Sequence, residues 1–232
     1  MALEFYNAYL NISKTPKETY KDGLQAMIDA QFDNSSTVNT IKEESGIGTE
    51  VYADIEVRLN KVKSPSNYKS LGYDYRKVIY SSPQANKIGI RYQFNSNYWI
   101  AINNNIFNMP TSSMVAIRCN NNLKWVDSDD VAHDEPCHID FSPSSDNFII
   151  NSKVPTIEDE ILVICQDNDE TDGLFVNQRL IFGKRNVYKI TKINDCIDNN
   201  VLYITLRIDQ QVDGSDDFTN EVADNDKPTF VV

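Results

Sequence analysis

The sequence predicts a mainly β protein: an N-terminal helix, two small antiparallel β-barrel or sandwich modules, and an extended acidic C-terminal arm. Three observations carry this. One capped, amphipathic stretch stands near the start, over residues 16–32. From Val51 onward short alternating or apolar runs follow one another, parted by Asn, Asp, Gly, Ser and Pro, a spacing that belongs to sandwiches and barrels. Residues 209–226 then hold seven acids and no Lys or Arg. The chain's 232 residues leave room for one large β domain or two small ones.

The helix opens with "TPKE", where Thr15 can cap, Pro16 suits the first helical position and Glu18 can reach back to the cap. Tyr20, Leu24, Met27, Ile28 and Phe32 recur at helical spacing as one apolar stripe, and "DNSS" ends it. The preceding "LEFYNAYL", with Tyr6 and Tyr9, predicts a shorter helical piece. Together these form an N-terminal segment, 1–37.

After Gly48 the period becomes two: Val51, Ala53, Ile55, Val57 and Leu59 alternate with Tyr52, Asp54, Glu56 and Arg58, a half-buried strand. Further strands are read in "RKVIY", "KIGIRYQF", "NYWIAIN", "SSMVAIRC", "LKWV", "CHIDF", "EILVIC", "QRLIF", "NVYKITKI" and "VLYITLRI". The segment "SSDNFIINSKVPTIEDE" reads as the seam between a first module, 38–150, and a second, 151–212. Asn abounds in the intervening turns and tolerates the positive φ that tight turns need. The arm follows over 213–232. Its acids repel one another, so it is expected to be extended and to order on a neighbouring subunit through the apolar end Phe230, Val231 and Val232.

Charge and hydropathy exclude several classes. A net charge of -12 without clustered Lys and Arg speaks against gripping a phosphate backbone. No apolar run approaches the length of a membrane span, so no membrane partner is expected. The N-terminus lacks the basic and apolar regions of a signal peptide, which implies synthesis in the cytoplasm.

The stretch 118–141, "RCNNNLKWVDSDDVAHDEPCHIDF", gathers Cys119, His133, Cys137 and His138. Zinc ligands come in pairs a few residues apart, whereas Cys119 stands alone and Cys137 and His138 are adjacent, facing opposite sides of a strand. The stretch reads as a metal-free hairpin with Leu123 and Trp125 inward. "NDETDG" at 168–173 resembles the start of a calcium loop, but Arg179 stands where the closing carboxylate belongs, so this is a turn. No nucleophile elbow and no nucleotide-binding glycine loop occurs. Cys119, Cys137, Cys165 and Cys196 read as small buried hydrophobes. No catalytic, cofactor-binding or metal residues are assigned, and the chain is expected not to be an enzyme. Its aromatics, which include 12 Tyr, suit strand surfaces and protein interfaces; the interface candidates are Tyr6, Tyr9, Phe230, Val231 and Val232.

"YWIAINNN", "IRCNNNLKWVD", "EPCHID", "NQRLIFGKRNVYKITKIND" and "VLYITLRIDQ" together resemble small β-rich structural proteins of tailed bacteriophages, of the head-completion or neck (head-to-tail connector) class. The resemblance covers roughly residues 90–215, and 118–125 is its most specific part. It implies a virion component made in the bacterial host cytoplasm, forming a homo-oligomeric ring against portal or neighbouring neck and tail proteins. Viral DNA would pass only as cargo through an acidic lumen. A tail adaptor, or a carbohydrate- or receptor-binding virion module using exposed Trp99, Trp125 or a Tyr, is the alternative.

Overall fold

A computed structural model describes residues 16–62, 74–82, 84–85, 87–105, 112–127, 131–140, 160–183, 186–210 and 216–225. Helix α1 (Pro16–Asp33) leads into strands β1 (Val38–Glu44), β2 (Tyr52–Lys61), β3 (Tyr75–Ile79), β4 (Arg91–Phe94), β5 (Asn97–Asn105) and β6 (Ser113–Arg118). These six strands close a barrel in the order β1-β2-β3-β6-β5-β4, with β4 returning to β1 through Lys42 opposite Gln93. A closed barrel exposes no strand edge. Its interior is filled by alternate residues, among them Ile41, Val57, Val78, Tyr92, Trp99, Ala101 and Met114.

The remaining strands are β7 (Asn121–Val126), β8 (Ala132–Asp140), β9 (Glu160–Gln166), β10 (Arg179–Phe182), β11 (Asn186–Asp198) and β12 (Val201–Asp209). They form an antiparallel sheet in the order β10-β11-β12-β9-β8-β7. One face packs Leu123, Trp125, Cys137, Val163, Cys165, Leu180, Ile190 and Leu206 into its own core. The other face, through Ile164, Val201 and Tyr203, meets Ile100, Ile102 and Ile117 on the outside of the barrel. Strands β5, β9 and β12 are therefore apolar on both sides, which is why "YWIAI", "EILVIC" and "VLYITL" read as nearly continuous apolar runs rather than alternating ones. Asn serves the turns as expected: Asn95, Asn177 and Asn200 all have positive φ, and Asn199 and Asn200 make a two-residue hairpin turn between the paired Asp198 and Val201.

Four expectations are revised. Strand β1 is a first strand the sequence pattern hid, because Glu43 and Glu44 are buried within it and break its apolar rhythm. Helix α1 has the expected span, but its stripe is covered only in part: Phe32 is buried while Tyr20 and Met27 are 71% and 54% exposed. The seam between modules falls before Asn121 and not within 144–160. Strand β8 pairs directly with β9, Cys137 opposite Cys165, so the Ser- and Asn-rich segment joins two neighbours of one sheet; its composition marks a long connection, not a change of module.

The acidic arm is the fourth. Over 216–225 it folds back on its own subunit: Asp217 bridges to Val222, and Phe218 and Ala223 cover Ile181 and Val187. Arg179 supplies the base that the acidic stretch lacks, donating to Asp216 from Nη1 and Nη2 at 2.9 Å and to Asp209 from Nε at 3.1 Å. The Asn225 carboxamide accepts from the Arg179 backbone N–H and donates to its carbonyl, at 2.5 and 3.0 Å, taking the place of a strand neighbour on β10. Phe230, Val231, Val232, Tyr6 and Tyr9 lie outside the described residues. No helix among the described residues is long and apolar enough to cross a membrane.

Candidate functional site

Where the barrel meets the second sheet, the apolar contact gives way to a buried polar cluster built from four strands. Arg91 at the start of β4 alternates with the inward Tyr92 and so points out of the barrel. Glu44, ending β1, alternates with the inward Glu43 in the same way. Nη2 of Arg91 donates to Glu44 at 3.0 Å, and Nη1 donates to Glu135 of β8 at 3.1 Å. Gln166, at the end of β9, donates from Nε2 to Glu44 at 2.7 Å and to the Gly89 carbonyl at 2.9 Å, while its Oε1 accepts from the Gly48 N–H at 3.1 Å. All four side chains are buried, and each of their bonds crosses or braces the joint between the modules.

Two glycines let the backbones close. Gly89 has φ +88° and a Cβ there would strike the carbonyl oxygen of Asn200 at the β11–β12 hairpin tip. Gly48 has φ +66° and a Cβ would sit 3.0 Å from that of Asn168. Both conformations favour glycine, so local backbone and packing demand the same residue at each place.

The cluster floors a cleft of about 380 Å³ whose walls include Glu50, Asp167, Asp169, Glu170 and Asp172. Burial pushes the Glu135 carboxyl up to about 7, against the lowering effect of Arg91. Burial also opposes the charge of Arg91, but its hydrogen bond with Glu44 and the nearby carboxylates keep it firmly protonated. A second polar chain lies inside the barrel, where Tyr80 donates to Glu43, Lys87 pairs with Glu43, and the Tyr80 and Tyr92 hydroxyls meet at 2.8 Å.

The residues singled out in 118–141 are placed apart in role. The stretch is a hairpin, β7 paired to β8 with Trp125 opposite His133. His133 lies between Asp127 at 2.9 Å and Glu170 at 3.4 Å, while His138 donates from Nδ1 to the Arg118 carbonyl at 2.8 Å. Cys137 is buried in the second core, Cys119 is half-buried at the joint and Cys196 is exposed. Among the described residues no three metal-ligating side chains converge. Trp99 and Trp125 are 3% and 1% exposed, so neither ring offers a stacking surface, whereas Tyr98 is 39% exposed. "NDETDG" forms a turn and a short 3-10 helix, Thr171–Gly173, with Asn168 Oδ1 accepting from the Glu170 and Thr171 N–H groups.

Sequence reasoning missed the joint itself. Its signal was present as charged or amide groups set into apolar strand runs: Arg91 in "IGIRYQF", Glu135 before "PCHID", and Gln166 closing "EILVIC".

Residues 121–207 match the family model of the YomX C-terminal domain. This is a phage-derived family, and the match marks the chain as phage-related. The matched span begins on the first residue of β7 and ends within β12, so the YomX-like module and the second sheet are the same unit. A search of curated proteins found no match, and neither did a search of solved structures.

Proposed function

We propose that this chain is a non-enzymatic structural protein of a phage virion, joining copies of itself into a ring in the head-to-tail connector or neck. The observation that carries this reading is the phage-related YomX-like module, packed against a closed barrel. The hydrogen bonds of Arg91 with Glu135 and of Gln166 with Glu44 cross between the two modules, which suits a part that transmits force. The net charge of -12 supports a lumen past which DNA slides without adhering. Portal and neighbouring neck or tail proteins would be the partners, and the virion the location.

Particle fractionation tests it. The chain should co-purify with DNA-filled particles and with isolated necks, and native mass spectrometry of the purified protein should give a closed oligomer. Recovery with tails alone would favour the tail-adaptor reading. A chain absent from particles would end the structural reading altogether.

A further inference from the structure

The joint sets one guanidinium against two carboxylates. The side chains of Arg91, Glu44 and Glu135 are 2%, 0% and 3% exposed. With both carboxylates ionised, the set carries one unbalanced negative charge, and burial of an unpaired charge is costly.

The two carboxylates are not served alike. Glu44 accepts from Nη2 and Nε of Arg91, from the backbone N–H groups of Arg91 and Glu50, and from Gln166 at 2.7 Å. Glu135 is met by a single guanidinium nitrogen, Nη1, at 3.1 and 3.2 Å, and by Asn168 at 3.4 Å. Many donors hold a carboxylate in its charged form. The cheaper place for a proton is therefore Glu135.

We propose that closing the joint between the barrel and the YomX-like module takes up one proton on Glu135, making the grip between the modules a pH-dependent device. The charged groups facing Glu135 come from every side: Arg91 from β4, Glu44 from β1, and Glu170, itself near His133, from the turn after β9. The thiols of Cys119 and Cys165 also face it, and burial raises both out of the titrating range.

The direction follows from the closed joint holding the proton more tightly than the open one. The carboxyl sits at about 7 in the closed joint, against an ordinary value of 4.5. The grip is full below the ordinary value, weakens as pH rises towards 7, and is level above it.

Hydrogen exchange on the full chain reads this directly. The Gly48 and Arg91 amides donate within the joint. Their protection, corrected for intrinsic exchange and compared with amides of β2, should fall about tenfold or more between pH 5 and 8. Glu135→Gln should hold protection at its acid level and remove the slope. If that variant does not fold, carboxyl carbon shifts of Glu135 in the native protein replace it: a midpoint near 7 supports the device, and one at the ordinary value overturns it. Flat protection across the interval, or a Gln variant with the native slope, overturns it equally.

Discussion

At the scale of single residues, Trp125 shows how one ring is asked to do more than pack. It is buried, stacked on His133 at 4.8 Å and 13°, and its Nε1–H is buried without a hydrogen-bond partner among the described residues. Trp125→Ala should cost about 3–5 kcal/mol in denaturant unfolding. Trp125→Phe should cost about 1–2 kcal/mol less than Ala, because Phe keeps much of the buried ring that Ala loses; equal costs would show that aromatic packing at this position adds nothing. His133 has the opposite character. The hydrogen bond with Asp127 raises its pKa above 6.5, against partial burial and with help from Glu170. The stabilisation this gives is complete below the unfolded value and is lost as pH rises through the folded one. The stability gap between native protein and His133→Gln should therefore be wide at pH 5.5 and narrow at pH 9, and an unchanging gap would refute the pairing.

At the scale of elements, the strands were legible and the hinges between them were not. Alternation placed Leu123 and Trp125 inward in β7, and both are in the core. The same test passed over β1, because Glu43 and Glu44 occupy opposite faces of one strand and both are buried; period two assumes that charge means solvent. The helix failed differently. Its stripe was read from spacing alone, and spacing cannot say whether a partner surface exists for Tyr20 and Met27. Where the chain before β4 meets the hairpin tip, Gly89→Ala should cost roughly 2–5 kcal/mol, combining a strained φ with overpacking against Asn200, and the Arg91 amide should lose protection before the barrel melts. If the joint tolerates the added methyl, the close approach is not a constraint. On β10, Arg179 is half-buried and gathers Asp209 and Asp216. Arg179→Ala should destabilise the second module by roughly 2–3 kcal/mol and free the 216–225 segment to proteases. A segment that stays protected in that variant would show that Phe218 and Ala223 suffice to hold it.

At the scale of the whole molecule, fold class was legible because the chain's turns and strand lengths are local properties. The joint was not, because its members are separated by 47, 44 and 122 positions along the chain and no single window contains two partners. The arm was misread for a related reason: seven acids in a row of 18 positions look self-repelling until Arg179, some 30 positions upstream of Asp209, is folded against them. The apolar contact of Ile164, Val201 and Tyr203 with the barrel has a consequence for inheritance. A descendant that acquired residues 121–207 without this barrel would carry a bare greasy patch and a stranded Glu135. A transplanted module would keep its fold only beside a companion that brings matching isoleucines, an arginine and a notch free of side chains, so the portable unit is the mated pair of surfaces rather than either half.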